Sequence, residues 1–112
     1  MTKNCKLQLT VQEPFLTFVK EGKKTVEGRL AKNKYCNLKI CDIIKINDIL
    51  LKVTNISRYK TFKEMLTKEG LNNVIPNAKS IQEGVDVYYK FYNPKDEKIF
   101  GVIGIGIQVI QD

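Results

Sequence analysis

The sequence contains no histidine and no tryptophan, and only three cysteines and three prolines stand among its 112 residues. The lack of histidine excludes Ser-His-Asp and Cys-His catalysis, histidine acid–base chemistry and every metal site that contains histidine. Cys5, Cys36 and Cys41 are odd in number and irregular in spacing, which does not fit a disulfide framework. A closed zinc site would need a fourth ligand from elsewhere, so we expect no metal and no cofactor.

Long apolar runs and phosphate-binding glycine loops are also missing. No run approaches the roughly 20 residues that span a membrane, and neither a Walker loop nor a dinucleotide-binding loop is present. The N-terminal residues MTKNCK lack the apolar region of a signal peptide, so we expect a cytoplasmic protein without a membrane partner. The length predicts a single domain over residues 1–112, and we expect it to be a monomer.

Positive charge is concentrated in one segment. The formal net charge is +7, and residues 20–39 contain seven basic and two acidic residues, whereas the rest of the chain is close to neutral. The centre of this segment, residues 22–29, reads GKKTVEGR. A basic region in an otherwise balanced domain predicts an anionic partner. Glu27 within it indicates a more selective ligand than phosphate alone.

Apolar periodicity and turn residues predict a chain of mixed α and β structure. Strands are expected at residues 6–11, 25–29, 42–46, 49–56 and 99–110, with Asn47 and Asp48 forming a hairpin turn. Helices are expected at residues 14–21, 61–69 and 81–92; Gly22 ends the first, and Thr61 and Ser80 open capping boxes for the others. Residues 93–96 are expected to form a turn. A small sheet curled into a barrel, with helices packed outside, would bury the apolar faces.

Residues 22–29 resemble the signature of the ASCH domain family, a branch of the PUA-like superfamily, and a helix with Phe15 and Phe18 precedes them as in that family. Similar segments follow in the family's order at residues 38–44, where Cys41 replaces a common glycine, and at residues 59–66, 70–76 and 80–88. The similarity extends from about residue 12 to residue 110. The resemblance to a small stand-alone member implies an α+β fold, a PUA-like small β-barrel of five or six mostly antiparallel strands with about three flanking helices.

The resemblance also implies RNA or nucleotide binding in a basic cleft around Lys24, Glu27 and Arg29. Glu27 and Arg29, two apart on a strand, point the same way. They form either a structural ion pair or a ligand site, in which Glu27 accepts from an exocyclic amine of a base and Arg29 binds an anionic group. Tyr35, among lysines, is expected to be an exposed stacking platform. The predicted nucleic-acid-binding residues are Lys23, Lys24, Glu27, Arg29, Lys32, Lys34, Tyr35 and Arg58.

A small hydrolase is the alternative function, and an adaptor for an acidic protein is a third. One bacterial branch of the family resembles an amidohydrolase that removes the acetyl group of N4-acetylcytidine with a lysine, a threonine and a glutamate. Lys24 occupies the lysine position, Glu27 stands in place of the threonine, and Glu69 is the nearest match to the glutamate. In an amidohydrolase-like or ribonuclease-like enzyme these three residues would be catalytic, with the pKa of Lys24 lowered beside Arg29. Because the threonine hydroxyl is missing, the sequence favours binding.

Overall fold

One mixed β-sheet organises residues 5–110, the part of the chain that the computed structural model describes. Its strands are β1 (Leu7–Leu9), β2 (Val26–Leu30), β3 (Ile43–Ile46), β4 (Ile49–Tyr59) and β5 (Val102–Val109). They lie in the order β1-β3-β4-β5-β2, with β1 parallel to β3 and all other neighbours antiparallel. The sheet curls into a half-barrel with β1 and β2 as its edges, so the predicted α+β class with a small, mostly antiparallel barrel sheet is confirmed.

Five α-helices flank the sheet within the described residues, rather than about three: α1 (Phe15–Lys20), α2 (Phe62–Glu69), α3 (Leu71–Val74), α4 (Ile81–Tyr88) and α5 (Pro94–Phe100). Both predicted capping boxes begin helices. The Thr61 hydroxyl accepts the N–H of Glu64 at 3.0 Å, and the Ser80 hydroxyl accepts the N–H of Glu83 at 3.1 Å. These bonds satisfy N–H groups that have no partner within the helix. None of the helices between residues 5 and 110 is both long and apolar enough to cross a membrane.

Two predicted turns are also confirmed. Gly22 ends α1 with a positive φ of 76°, and the N–H of Lys23 donates to the carbonyl of Phe18 at 2.9 Å, which closes the helix as a Schellman motif. Asn47 adopts a φ of 53° in the two-residue turn between β3 and β4. Its side chain accepts the N–H of Val11 at 3.0 Å, so the hairpin is held to the chain that follows β1.

The predictions for residues 93–110 need correction. Residues 93–96, expected as a turn, begin α5, because Asn93 is its N-cap and accepts the N–H of Asp96 at 2.8 Å. An Asn-Pro pair fits both a turn and a helix start, since proline at the first helical position lacks only an N–H that would stay unpaired. The last strand therefore begins at Val102 and not at Ile99, after Gly101 ends α5 with a φ of 72°.

Strand alternation separates the apolar residues into two cores, one on each face of the sheet. On β5, Ile103, Ile105 and Ile107 belong to the core shared with α1 and with β1, β3 and β4. Val102 belongs to the other core, in which the helices α2 to α4 cover the sheet around Phe62. On β2 the second core receives Val26 and Leu30, and Glu27 and Arg29 therefore point to the opposite face.

Glu97 is a buried acid that the sequence analysis did not single out. It is 5% exposed, and its Oε2 accepts the backbone N–H of Phe62, the first residue of α2, at 2.7 Å. Its Oε1 accepts the hydroxyl of Tyr89 at 2.7 Å, and this bond is the main reason that the pKa of Tyr89 is raised to about 12. A carboxylate at the beginning of a helix also interacts favourably with the helix dipole. Glu97 thus ties α5 to the start of α2.

We expect Glu97→Ala to lower the free energy of unfolding by about 1–3 kcal/mol, because the buried N–H of Phe62 loses its acceptor. Urea denaturation measures the change. Lys95→Ala, an exposed substitution on the same helix, is the matched control and should stay within about 0.5 kcal/mol of the wild type. Equal effects of the two substitutions would contradict this role of Glu97.

Candidate functional site

The basic segment is held in place by backbone hydrogen bonds at two consecutive residues, Lys24 and Thr25. The N–H of Lys24 donates to the carbonyl of Phe18 at 3.0 Å, at the end of α1. The N–H of Thr25 donates to the carbonyl of Asn73 at 2.9 Å, which brings α3 beside the start of β2. These two anchors place the side chain of Lys24 between the strand and α3.

Lys24 is buried, with 3% of its surface exposed. Its ammonium donates to the backbone carbonyls of Val26 at 2.8 Å and Val74 at 2.7 Å, and its Nζ lies 3.2 Å from Oε1 of Glu27. Burial lowers the pKa of Lys24 from its usual value, and the charge of Glu27 opposes this effect. An ammonium has three N–H groups, and all three have an acceptor here. Lys24 is therefore neither a solvated surface lysine nor an unpartnered cation in a cleft.

Glu27 joins Lys24 to Arg29. Its Oε2 accepts the Nε–H of Arg29 at 2.7 Å, and the carboxylate is 5% exposed. The predicted common orientation of Glu27 and Arg29 is confirmed by this pair. Burial is the largest influence and lowers the pKa of Arg29, but Glu27, Tyr92 and Tyr35 together outweigh it, so the net direction is upward. Two cations share one carboxylate, so the Lys24–Glu27–Arg29 chain carries one net positive charge.

Arg29 also spans the opening of the half-barrel. Its Nη2 donates to the backbone carbonyl of Thr10, just after β1, at 3.0 Å. Beside this bridge lies a cleft of about 160 Å³, which we call the edge cleft. One wall consists of residues 10–12 and Phe15, and a second consists of the β2 residues 27–29 and Lys24. The third wall is the end of α4 together with Ile75. Pockets for drug-sized ligands measure roughly 300–1,000 Å³, so the edge cleft suits one small ring system.

The backbone of β2 contributes to the edge cleft at Gly28. The carbonyl of Thr25 accepts the N–H of Ile107 on β5 at 2.9 Å. Since alternate residues of an antiparallel strand face the neighbour, the N–H and C=O groups of Val26 and Gly28 point away from β5. The carbonyl of Val26 is taken by Lys24, whereas Gly28 lines the edge cleft.

Gly28 is needed for close packing. A Cβ at this position would lie 2.6 Å from the hydroxyl of Tyr88 and 2.6 Å from Cε of Met65, so a side chain does not fit. Burial raises the pKa of Tyr88 well above its usual value, and the charge of Glu27 acts in the same direction. Because the carbonyl of Gly28 points away from β5, it is the backbone acceptor that this part of the edge cleft offers to a ligand.

Tyr35 is not the exposed stacking platform that we expected. It is 3% exposed and packs in the core on the inner side of the sheet, because the 3-10 turn Asn33–Tyr35 directs its ring inward. Burial raises its pKa to about 12, and Arg29 lowers it in part. The ammonium of Lys34 lies 5.3 Å from the centre of this ring.

The remaining predicted residues lie outside the edge cleft. Lys23, Lys32, Lys34 and Arg58 are exposed, and Lys23 forms a surface pair with Glu21 at 3.4 Å. Glu69 extends over the other face of the sheet, where its Oε2 accepts the hydroxyl of Tyr59 at 2.5 Å and lies beside Gly104. Lys24, Glu27 and Arg29 are brought together, and Glu69 is not part of their hydrogen-bonded chain.

Sequence reasoning missed Thr10, Gly28 and Phe91, which line the same cleft. Thr10 and Gly28 contribute backbone atoms, which no side-chain pattern reveals. The glycine of GKKTVEGR in the middle of a strand was a signal, because a strand glycine often marks close approach of another group. Phe91 lies just beyond α4, within residues expected to be helical, and its position depends on where α4 ends.

A family model for the ASCH domain matches residues 9–111. The chain belongs to the ASCH domain family. No match is found among curated proteins. The ASCH assignment rests on nearly the full length of the chain, as the ordered resemblance from about residue 12 to residue 110 predicted.

Two solved structures of small archaeal proteins are similar to this ASCH domain. The crystal structure of hypothetical protein PH0355 is 44% identical, with a TM-score of 0.89, and the match covers 93% of this chain and 98% of that one. The solution NMR structure of protein PF0455 from Pyrococcus furiosus is 41% identical, with a TM-score of 0.79, and covers 95% of this chain and 98% of that one. The similarity thus extends over nearly the full length of both proteins.

We expect Glu27→Gln to lower the free energy of unfolding by about 3 kcal/mol or more at neutral pH, because the buried Lys24 and the partly buried Arg29 lose their common counter-charge. Glu21→Gln is the matched control: it breaks an exposed Lys–Glu pair and should cost less than about 1 kcal/mol. Chemical denaturation measures both changes. Similar small losses of unfolding free energy in the two variants would contradict the structural role of the Lys24–Glu27–Arg29 chain.

The loss of unfolding free energy that Glu27→Gln causes should become smaller as the pH rises from about 7 to about 10. This range lies below the usual lysine pKa. Without the Glu27 charge, burial lowers the pKa of Lys24 further. Between this lowered value and the unfolded value the unfolded chain binds more protons, so stability of the variant rises with pH. The raised pKa of Tyr35 makes the wild type lose stability above about pH 10, so the comparison of the two proteins stays below that pH. A loss of unfolding free energy that grows with pH would contradict the pairing of a buried Lys24 ammonium with Glu27.

Proposed function

We propose that this ASCH domain binds RNA or a nucleotide, with one nucleoside unit in the edge cleft. The observation that carries the proposal is the Lys24–Glu27–Arg29 chain, with its net positive charge, at a cleft sized for one ring system. A ligand with a negatively charged group and a flat polar base complements both features.

Arg29 is the residue best suited to contact the anionic part of the ligand. A guanidinium has five N–H donors, of which one donates to Glu27 and one to Thr10. Arg29 also lowers the pKa values of Tyr35 and Tyr92, in part by hydrogen bonding, and 17% of its side chain is exposed. Charge-assisted pairs of arginine with phosphate are strong and geometrically selective. The fixed guanidinium therefore binds a phosphate or a carbonyl-rich base edge.

Glu27 and Gly28 supply acceptors for the base. Each carboxylate oxygen of Glu27 has one cation partner in the Lys24–Glu27–Arg29 chain. Its second lone pair can accept a further hydrogen bond. The carbonyl of Gly28 is the acceptor next to it at the edge of β2. Acceptors of this kind favour a base with an exocyclic amine, such as cytosine or adenine, over uracil.

The exposed basic residues outside the cleft have a separate role in the proposal. Lys23, Lys32, Lys34 and Arg58 contribute to the field of a chain with net charge +7. Such a field raises the rate of encounter with an anion and binds a longer phosphate backbone without base selectivity. RNA affinity should therefore depend on salt more steeply than mononucleotide affinity.

A hydrolase receives less support from this geometry. All three N–H groups of the Lys24 ammonium are engaged, so a role as a base would require it to break contacts within the buried chain. Glu69 lies over the opposite face of the sheet from Glu27. The test below nevertheless measures turnover, so that product formation would favour the enzymatic alternative.

The experiment is a calorimetric binding panel of ribonucleosides, their 5′-monophosphates, N4-acetylcytidine and a short single-stranded RNA. We expect Arg29→Lys, which keeps the charge but loses the planar fork, to weaken nucleotide binding by about 10- to 100-fold, the effect of one or two lost charge-assisted bonds. Lys63→Ala, an exposed substitution on α2, should leave mononucleotide binding within about twofold.

Two results would overturn the proposal. One is that neither RNA nor any nucleoside or nucleotide binds to the folded wild-type protein. The other is that Arg29→Lys and Lys63→Ala change affinity equally. Circular dichroism of each variant confirms that folding is intact, and chromatography of the same mixtures detects hydrolysis.

A further inference from the structure

The segment after α4 places an aromatic ring at the mouth of the edge cleft. The N–H groups of Phe91 and Tyr92 donate to the carbonyl of Tyr88 at 3.0 Å and 2.9 Å, which closes a tight turn. The rings of Tyr88 and Tyr92 stack against Phe62, at centroid distances of 4.3 Å and 5.4 Å. With Tyr88 and Tyr92 packed against Phe62, the side chain of Phe91 is left at the surface.

Phe91 is 52% exposed and lines the edge cleft. Two other exposed aromatic residues have partners within the protein: Tyr89 donates to Glu97, and the ammonium of Lys32 lies 5.3 Å from the ring centre of Phe100. Within residues 5–110 the ring of Phe91 takes part in no ring stacking and no cation–ring contact. Among the aromatic residues that line this cleft, Phe91 has the exposed ring, whereas Phe15 and Tyr92 are half-buried and Tyr88 is buried.

The two sides of the edge cleft differ in chemistry. The β2 side has the polar groups, namely the carboxylate of Glu27, the carbonyl of Gly28 and the guanidinium of Arg29. The α4 side has Val87 and the ring of Phe91. A nucleobase matches this division, because its edge forms hydrogen bonds and its face stacks on an aromatic ring.

We infer that Phe91 is a specificity-determining residue, the ring of which stacks on the base of the nucleotide in the edge cleft. The inference rests on the proposed function and deepens it, because it predicts that the ligand must carry an aromatic base. Base–aromatic stacking contributes about 5- to 150-fold in affinity, and it tolerates any base because every base has a π-face. Phe91 thus selects for a base, and the groups on β2 select among bases.

The absence of tryptophan from the sequence makes a direct test feasible. Phe91→Trp creates a protein with a single tryptophan at the cleft, and Phe100→Trp places one at an exposed aromatic site on α5 that does not line the cleft. The probes are the four ribonucleoside 5′-monophosphates and ribose 5-phosphate, which has the charge and the sugar but no base. Calorimetry of the same probes on the wild type measures binding independently of the tryptophan.

We expect at least one nucleotide to quench Phe91→Trp emission saturably, at the concentrations at which calorimetry detects binding to the wild type. Phe100→Trp emission should not change, and ribose 5-phosphate should not quench either variant. Phe91→Leu, which keeps an apolar side chain without a ring, should weaken nucleotide binding by about 5- to 150-fold. Its affinity for ribose 5-phosphate should stay within about twofold of the wild type.

The failure of the inference is distinguishable from the failure of the proposed function. If nucleotides bind to the wild type but do not quench Phe91→Trp, or if Phe91→Leu keeps full affinity, the stacking role is wrong while nucleotide binding stands. If calorimetry detects no nucleotide or RNA binding to the wild type, the proposed function fails and the inference fails with it. Because Phe91 is exposed, its replacement leaves the core intact, and thermal unfolding of each variant checks this.

Discussion

The sharing of one buried carboxylate by two cations is the interaction on which the rest of the site depends. Glu27 holds Lys24 at one oxygen and Arg29 at the other, with 5% of its surface exposed. Each cation also bonds a backbone carbonyl elsewhere: Lys24 reaches Val74 in α3, and Arg29 reaches Thr10 after β1. One short strand is thereby connected to a helix on one side and to the opposite edge of the sheet on the other. Since a buried charge without a partner is costly, these three side chains act as one unit.

This unit lies where the sheet does not close. In a complete barrel every strand has two neighbours, and no backbone edge is available to a ligand. Here β1 and β2 are edges, and Arg29 spans them with a side chain instead of a ladder of backbone hydrogen bonds. The gap beside it is the edge cleft, with the carbonyl of Gly28 on one wall and Phe91 at its mouth. The same incomplete closure that leaves an edge strand unpaired therefore provides the acceptors and the ring that the proposed nucleotide site uses.

Several elements could be predicted because their causes are local. Thr61 and Ser80 cap helices through hydrogen bonds to residues three positions later, and Gly22 ends α1 because its backbone adopts a positive φ. The ion pair of Glu27 with Arg29 follows from the two-residue period of a strand. The start of α5 was missed, because an asparagine followed by proline is compatible with both a turn and an N-cap. Tyr35 was placed at the surface from the charge of its neighbours, although a 3-10 turn directs its ring into the core.

The sequence by itself determined the family, the α+β class and the identity of the charged residues at the centre of the site. These depend on spacing within short segments, which the chain carries wherever it folds. Only the tertiary structure decided that Lys24 is buried and fully bonded, that Glu69 lies over the other face, and that Thr10, Gly28 and Phe91 line one cleft. The physical reason is that burial and hydrogen bonding depend on contacts between distant segments. Lys24 and Val74 are fifty positions apart, and no local pattern records their contact.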